Sequence, residues 1–364
     1  MKPQPAPTAD ATELVERIVA QAIHLRASDI HVEPTAGGYE IRYRVDGLLQ
    51  TATKYDLAIG RAVVGRFMVL AQLLTYRLDV PQEGRMEIAV PLQGGGARAI
   101  QTRVAIMPTT HGLRAAVRMP SEGSGPATLS DLGLPPRVIE ALERFALADG
   151  GLLAVTGPAG SGKTTTIYAL LEHIVRTQPG LSIISLEDPV ERDVAGVTQI
   201  EVKPFGELTY ERALRSILRQ DPQVLALGEI RDPATASLAL QAALSGHRLI
   251  CTFHAASPGG ALARLFEMGM EPYQISSSLF AVVAQRLLRR RDPAGGYRGR
   301  VAVAEVAMSD PALRSAILRH SDAESLQQVI RAQANHQTLR QSAEELIASG
   351  QTDSDEILRG LGPP

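Results

Sequence analysis

The sequence has little of several features on which other protein classes depend. Its one cysteine, Cys251, excludes an intrachain disulfide and any zinc site that needs two or more thiolates from this chain. No apolar run approaches the length of about 18 residues needed to span a bilayer, and the N-terminal segment is proline-rich where a secretory signal would be apolar. These features predict a soluble protein of the reducing cytosol.

Tryptophan is absent, and aromatic residues make up only 4% of the chain. The 37 basic and 39 acidic residues give a net charge of −2, so no global attraction for a polyanion is expected. Only four lysines occur: Lys2, Lys54, Lys163 and Lys203. A motif that requires lysine therefore seldom arises here by chance.

The 364 residues, of which 45% are hydrophobic, correspond to about two domains. Helical periodicity covers 11–25 and 57–74, and strand patterns cover 27–34, 39–47, 84–91, 97–106 and 112–119. Together these patterns predict a smaller α+β domain over 1–119.

Residues 120–128 are predicted to be a flexible linker, because the segment is rich in Pro, Gly and Ser. Beyond it, short apolar runs alternate with helical patterns, which predicts a parallel sheet covered by helices on both faces. The fold class of 129–364 is therefore predicted to be α/β. Residues 310–364 show only helical periods and form the helical end of that domain.

Residues 157–164 match G-x-x-x-x-G-K-[ST] between a strand pattern and a helical stretch. The glycines allow the backbone amides to point inward, and the helix N-terminus adds partial positive charge. Lys163 is expected to reach the β- and γ-phosphates, and Thr164 to bind Mg²⁺. The predicted nucleotide-binding residues are Gly157, Pro158, Ala159, Gly160, Ser161, Gly162, Lys163, Thr164 and Thr165. A glycine-rich turn without a ligand is the alternative.

Carboxylates follow two other apolar strand patterns. Glu229 is predicted to face the metal through a water molecule, because P-loop folds require an acid at this position. Glu187, Asp188 and Glu191 reach the same predicted sheet edge, where one of them could orient and deprotonate the attacking water. Charged residues that merely end a strand are the alternative.

Two histidines and three arginines complete the set of candidates. His247 and His254 flank a third strand pattern, where they either cap the structure or sense the γ-phosphate. Arg85, Arg103 and Arg118 lie in or beside strands of the first domain, and composition alone favours solvated side chains. The P-loop domain has no obvious arginine finger of its own, however, so an arginine from another domain or subunit would fill that need.

With these motifs, the sequence resembles the secretion ATPase superfamily that powers type II secretion and type IV pilus assembly. The motifs occur in the family's order: the P-loop at 157–164, the aspartate box at 187–191, the Walker B segment at 227–232 and the histidine box at 246–254. Further similar segments lie at 27–34, 42–47, 81–85, 284–287 and 299–301. The resemblance covers nearly the whole chain.

The resemblance implies a PAS-like N-terminal module joined by a mobile linker to a RecA-like P-loop ATPase domain. It implies a homohexamer that binds ATP and Mg²⁺, with Glu191 as the catalytic glutamate and Glu229 as the Walker B acid. Arg85, Arg103 and Arg118 match the arginines that reach the phosphates. The implied function is a cytoplasmic motor at the inner face of the cytoplasmic membrane, associated peripherally through an inner-membrane platform protein.

Three departures from the family pattern qualify this hypothesis. Assembly-type members usually carry an extra N-terminal domain and a four-cysteine zinc knuckle, whereas this chain begins at the PAS-like module and 289–297 lacks cysteine, so no zinc is expected. Residues 252–256 differ from the common histidine box but keep His254. The short architecture resembles retraction motors, while 27–34 and 228–232 are more similar to the assembly branch. Extension and retraction both remain open.

Two hypotheses from other classes are weaker. A RecA-like nucleic-acid translocase would need basic grooves and stacking aromatics, which this composition does not supply, so no nucleic-acid partner is expected. A non-catalytic nucleotide-sensing scaffold would not need the intact acids.

Overall fold

The computed structural model describes residues 10–91, 97–119, 128–202 and 206–363. The chain divides into two compact units, Met1–Gly123 and Ser124–Pro364. Apart from Thr128, the predicted linker at 120–128 lies outside the described residues.

The N-terminal unit is an antiparallel sheet with two helices on one face. Its elements are α1 (Ala11–His24), β1 (Asp29–Thr35), β2 (Gly38–Val45), β3 (Leu48–Tyr55), α2 (Leu57–Leu70), β4 (Gln82–Pro91), β5 (Ala97–Thr109) and β6 (Gly112–Arg118). The strand order is β3-β2-β1-β6-β5-β4. The predicted α+β composition of this region is therefore confirmed.

Alternation along the strands decides which face of this sheet is covered. Ile30 and Val32 of β1 point to the same side as Val104 and Ile106 of β5, and this side packs against the apolar stripes of α1 and α2. Helix α2 ends at Leu70, four residues before the end predicted from periodicity. The chain leaves the helix because Gln72 adopts a positive φ of 56°.

The second unit is built on a seven-stranded sheet. Its strands are β7 (Gly151–Thr156), β8 (Ile183–Glu187), β9 (Thr198–Glu201), β10 (Val224–Leu227), β11 (Arg248–Phe253), β12 (Leu279–Arg291) and β13 (Tyr297–Met308). The order is β13-β12-β7-β11-β10-β8-β9. Neighbouring strands are parallel from β9 to β12, and β13 is antiparallel to β12.

Helices cover both faces of this sheet, as the sequence predicts. They are α3 (Pro136–Ala146), α4 (Lys163–Thr177), α5 (Tyr210–Ile217), α6 (Pro233–Leu244), α7 (Pro258–Glu267), α8 (Pro272–Ser278), α9 (Pro311–Leu318), α10 (Ala323–Arg331), α11 (Leu339–Ala348) and α12 (Ser354–Leu361). One core lies under α3 and α4, and the other lies under α5 to α10. The central strands are buried on both faces, which explains their continuous apolar runs.

The β12–β13 hairpin was not anticipated from the sequence. Its buried part is alanine-rich and apolar on both faces, so neither strand shows the alternation that identifies a half-buried strand. The end of the hairpin extends beyond the main sheet and packs on α11 and α12 through Leu288, Val303, Ala343 and Ile357. Within the described ranges, every helix is too short or too polar to cross a bilayer.

Candidate nucleotide site

The carboxyl edge of the parallel sheet gathers most of the predicted site. Strand β7 ends at Thr156 directly before Gly157, and β8 ends at Glu187. Glu229 follows β10 by two residues, and His254 follows β11 directly. Because β7, β8, β10 and β11 are parallel, their carboxyl ends lie at one edge, which is where open α/β sheets bind ligands.

The loop between β7 and α4 has the backbone that a phosphate cradle requires. Gly157, Gly160 and Gly162 have φ angles of 153°, 74° and 91°, a region that favours glycine. A Cβ on Gly157 would lie 2.5 Å from the carbonyl oxygen of Gln285, and one on Gly162 would lie 2.7 Å from Gln285 Nε2. Strand β12 therefore packs too closely under the loop for any larger residue at these two positions.

Lys163 begins α4 and is buried, with 9% of its surface exposed. Its Nζ donates to the carbonyl oxygens of Gly157 at 2.7 Å and Pro158 at 3.0 Å. Burial lowers the pKa of Lys163, the Glu229 carboxylate opposes this shift, and the Arg286 guanidinium adds to it. The ammonium is held inside the loop by neutral acceptors, where an anion could replace them.

The first turn of α4 offers hydroxyl groups next to this lysine. Thr164 and Thr165 are exposed, whereas Thr166 is buried. Ser161 is 3% exposed, and within the described residues its Oγ has no hydrogen-bond partner. An unsatisfied buried hydroxyl in a glycine-rich loop fits a loop that is completed by a ligand.

Glu229 is the acid whose charge acts on Lys163 of the loop. One of its carboxylate oxygens is 3.3 Å from His254 Nε2, and the other is 2.7 Å from Arg231 Nη2. The pKa of Arg231 is raised by its hydrogen bond to Glu229. Glu229, His254 and Lys163 thus form one electrostatic group at the carboxyl edge.

Glu187 and Glu191 are in different environments. The buried Glu187 carboxylate accepts hydrogen bonds from Ser185 Oγ at 2.6 Å, from Gln199 Nε2 at 3.0 Å and from the Tyr168 hydroxyl. Glu191 is exposed, and its backbone N–H donates to the Tyr168 oxygen at 3.1 Å. The Glu187 carboxylate thus accepts hydrogen bonds within the fold, whereas Glu191 is exposed at the surface.

Two tyrosines at this edge were not recognised in the sequence. Tyr168 lies on α4, one turn after the phosphate loop, and burial raises its pKa, with a further contribution from the hydrogen bond to Glu187. Tyr210 begins α5 with its hydroxyl against Gly228, where a Cβ would lie 2.7 Å away. Burial and then the Asp188 charge raise the pKa of Tyr210. Both hydroxyls therefore stay protonated donors beside the acids.

The two predicted histidines are not brought together within one chain. His254 follows the carboxyl end of β11, whereas His247 precedes its amino end, and a six-residue strand spans about 20 Å. His247 Nδ1 lies 2.9 Å from the carbonyl oxygen of Ala242, at the end of α6. Within this chain, His247 is therefore at the opposite edge of the sheet from the phosphate loop, and the two histidines flank the strand at its two ends, as the sequence places them.

The three predicted arginines of the N-terminal unit form a row. Arg85 of β4 is directly opposite Arg103 of β5, which is directly opposite Arg118 of β6. All three are exposed on the sheet face that α1 and α2 do not cover. Like charges directly opposite one another destabilise a sheet, so this row fits a surface that receives an anion.

Gln285 and Arg286 of β12 reach the phosphate loop and were missed as site residues. Gln285 is 3% exposed; its Oε1 accepts from Thr166 Oγ1 at 2.8 Å, and its Nε2 donates to the Ser161 carbonyl at 2.9 Å. Arg286 lies beside Gly157, at 3.1 Å from the position of an added Cβ. The segment 284–287 is part of the family resemblance, but neither residue belongs to a phosphate-binding motif.

Comparison with known families gives an extended match. The profile of the family described as Type II/IV secretion system protein matches residues 6–359. The Type II secretion system protein HxcR of Pseudomonas aeruginosa is 37% identical to this chain, over 96% of the chain and 77% of the relative. The Type II secretion system ATPase E of Vibrio cholerae is 34% identical, over 95% of the chain and 74% of the relative.

Solved structures are similar in fold. The ATPase DotB of Yersinia pseudotuberculosis has a TM-score of 0.76 at 21% identity, over 100% of this chain and 96% of that one. The pilus retraction motor PilT, solved with bound ADP, has a TM-score of 0.64 at 26% identity, over 96% of each chain. The sequence and structure comparisons thus agree on the architecture.

Proposed function

The chain belongs to the family of type II/IV secretion system proteins, and on this premise we propose that it is a hexameric motor for type IV pilus assembly or type II pseudopilus extension. It is a secretion-system ATPase with a RecA-like core and an N-terminal domain. The observation that carries the proposal is the glycine loop with the buried Lys163 beside Glu229. The ring, the direction of work and the membrane partner are the parts that we propose.

The loop at 157–164 binds the triphosphate in this proposal. The backbone amides of the loop and the N-terminus of α4 would receive the phosphates. The Lys163 ammonium exchanges two neutral carbonyls for phosphate oxygens, which accept stronger, charge-assisted bonds. Thr164, and Glu229 through a water molecule, would hold Mg²⁺, which when bound supplies positive charge to the phosphate oxygens.

Glu191 is the proposed general base. Its exposed side chain can accept a proton from water, whereas the Glu187 carboxylate already accepts three hydrogen bonds. Tyr168 supports both acids, because its hydroxyl donates to Glu187 and accepts from the Glu191 backbone. His254, next to Glu229, is positioned to donate to an anionic oxygen.

Arg85, Arg103 and Arg118 would supply further positive charge in this mechanism. They lie opposite one another on β4, β5 and β6, so their positive charge is concentrated on one exposed face of the sheet. Formation and loss of these contacts during hydrolysis would move the N-terminal unit, and such movement is how phosphate contacts become mechanical work. The proposed recipient is a platform protein in the inner membrane, and the motor itself would act from the cytoplasmic side.

Phosphate release by the purified full chain tests the proposal. Lys163→Ala should lower turnover on the order of 1000-fold, because the loop loses its central cation. Lys54→Ala is the matched control, since that lysine is exposed and pairs with Glu40 at the surface. Turnover by Lys163→Ala at the wild-type rate would refute the assignment of the site. Sedimentation of the protein with ATP should give a hexamer, and adding inner membranes that contain the platform should raise turnover.

Retraction is the second candidate function, favoured by the 26% identity to PilT over 96% of both chains. The two directions predict opposite phenotypes. Deleting an extension motor removes pili or secreted product, whereas deleting a retraction motor leaves excess surface pili. Excess pili in the deletion strain would decide for retraction.

A further inference from the structure

A second cation lies against the phosphate loop of the same chain. The Arg286 guanidinium is next to Gly157, the first residue of the loop, while the Lys163 ammonium binds the carbonyl oxygen of that glycine. The two cations are close enough for Arg286 to lower the pKa of Lys163. Positive charge is thus concentrated around one end of the cradle.

In the described part of the chain, the Arg286 guanidinium donates to neutral acceptors. Nη1 donates to the carbonyl oxygen of Gln285 at 2.8 Å, and Nη2 donates to that of Ala256 at 2.8 Å. Within the described residues, no carboxylate oxygen lies within the 4.0 Å of an ion pair. A partly buried cation without a counter-charge is unfavourable unless a ligand supplies one.

One carboxylate lies in the wider surroundings of this arginine. Burial lowers the pKa of Arg286, and Glu305 opposes that shift from beyond ion-pair distance. The Glu305 oxygens are already used: one accepts from Gln327 Nε2 at 3.2 Å and the other from the Leu339 N–H at 3.1 Å. Glu305 therefore balances part of the charge but does not bind the guanidinium.

Ala256 connects this arginine to the rest of the site. The carbonyl that holds Nη2 is two residues after His254, whose Nε2 lies 3.3 Å from Glu229. Thr156 Oγ1 accepts from the Ala255 N–H at 3.0 Å and so joins the same segment to the end of β7. Arg286 therefore lies on the side of the loop where Glu229 and His254 are, rather than toward the body of α4.

We propose that Arg286 is a catalytic residue that contacts the terminal phosphates of ATP from within its own chain. The inference rests on the proposed function of the loop. On binding, the guanidinium would exchange one or both neutral carbonyls for phosphate oxygens, and charge-assisted bonds of this kind are roughly twice as strong. The site would then have a cation supplied in cis, in addition to any arginines supplied by the N-terminal unit.

Four variants of the full-length chain test this inference. They are Arg286→Ala, Arg286→Lys and Lys163→Ala, with Arg290→Ala as the control. Arg290 is exposed on the same strand. Two quantities are measured: kcat/KM by phosphate release, and the affinities for fluorescent ATP and ADP analogues. Arg286→Ala should lower kcat/KM for ATP on the order of 100-fold and weaken ATP binding more than ADP binding. Millimolar guanidinium should restore part of the activity.

Two results would overturn the proposal. One is wild-type kcat/KM in Arg286→Ala while Lys163→Ala is inactive; full turnover in Lys163→Ala would instead refute the proposed function itself. The other is that Arg286→Ala weakens ATP and ADP binding equally and that Arg286→Lys restores both affinities completely. In that case Arg286 would only hold the Ala256 segment in place and would not contact the phosphates. If Arg286→Ala does not fold, Arg286→Lys decides: reduced discrimination between ATP and ADP supports the contact, and wild-type discrimination contradicts it.

Discussion

Two arginines three positions apart on β12 are in opposite electrostatic environments. Arg289 binds the fully buried Glu356 carboxylate through Nε at 2.9 Å and Nη2 at 2.8 Å, and Arg359 binds the same carboxylate. Arg286 has two neutral carbonyls instead. One strand thus carries an arginine that is ion-paired within the fold and another whose partners, among the described residues, are neutral carbonyls, and the second is suited to an external anion.

The same contrast occurs among the acids and the histidines. Glu187 is buried and accepts from three side chains, while Glu191 is exposed four residues later. His247 lies near a helix carbonyl at one end of β11, while His254 lies near Glu229 at the other end. Residue type alone therefore does not distinguish the members of each pair, but burial and position in the sheet do.

The largest effect is expected from the acid pair. Glu191→Gln should lower kcat on the order of 1000-fold, because an amide cannot take the proton from water, while ATP still binds. Glu187→Gln should reduce turnover less and instead destabilise the fold, because its new NH₂ group faces the donors that the carboxylate accepted. Single-turnover phosphate release and fluorescent-nucleotide binding measure the two activities.

Thermal unfolding provides the control for this pair, since Glu191→Gln should melt like the wild type. If Glu187→Gln loses more turnover than Glu191→Gln at unchanged stability, Glu187 is the general base. This result would contradict the assignment of Glu187 to a structural role and of Glu191 to catalysis.

The pH dependence of the free energy of unfolding tests the ion pairs of Glu356 with Arg289 and Arg359. Burial would raise the pKa of Glu356, but hydrogen bonds from Arg359 and Arg289 outweigh it and lower the pKa to about 2, from its ordinary 4.5. The carboxylate therefore stabilises the fold fully above pH 4.5, and this contribution, about 3 kcal/mol, is lost as the pH falls toward 2. In urea unfolding, the difference in free energy of unfolding between the wild type and Glu356→Gln should become smaller as the pH decreases from 5 to 3. A difference that stays constant would contradict the ion-pair assignment.

A matched pair of methionine substitutions sharpens the arginine comparison directly. Arg289→Met should reduce the free energy of unfolding by about 2 kcal/mol, because it leaves the buried Glu356 with Arg359 as its ion-pair partner and the backbone N–H of residue 289 as a further donor. Arg286→Met should reduce the free energy of unfolding by less than about 1 kcal/mol, or should increase it. The reason is that this substitution removes a cation that no carboxylate of the described residues binds. Urea denaturation at pH 7 measures both. Equal destabilisation by the two substitutions would mean that Arg286 is a structural residue.

Sequence patterns alone predicted the parts of the site that depend on local spacing. The cradle at 157–164 is a local structure, since its glycines, Lys163 and the start of α4 are consecutive. The gathering of Glu229, Glu187 and His254 follows from the rule that parallel strands align their carboxyl ends. The same rule, applied to both ends of β11, would have separated His247 from His254 before the structure was known.

Contacts between distant segments could not be predicted in this way. The bond between Thr166 and Gln285 joins residues 119 positions apart, and the strand that carries Gln285 has no alternation. The buried state of Glu187 depends on Tyr168 and Gln199, which lie on α4 and β9. Such partners follow from the packing of the elements, so the sequence indicated three candidate acids without indicating which one is buried and hydrogen-bonded within the fold.

The smallest effect is expected from the two histidines. His254→Ala should lower kcat/KM about tenfold, because it removes a donor beside Glu229, and a hydrogen bond to a charged group contributes about that much. His247→Ala should leave turnover within about twofold and cost at most about 1 kcal/mol of stability, the contribution of one bond to a neutral carbonyl. Steady-state phosphate release by both variants measures the difference. If His247→Ala is as inactive as His254→Ala in the hexamer, while its isolated subunits bind ATP normally, then His247 acts on a neighbouring copy, because within its own chain β11 separates it from the phosphate loop.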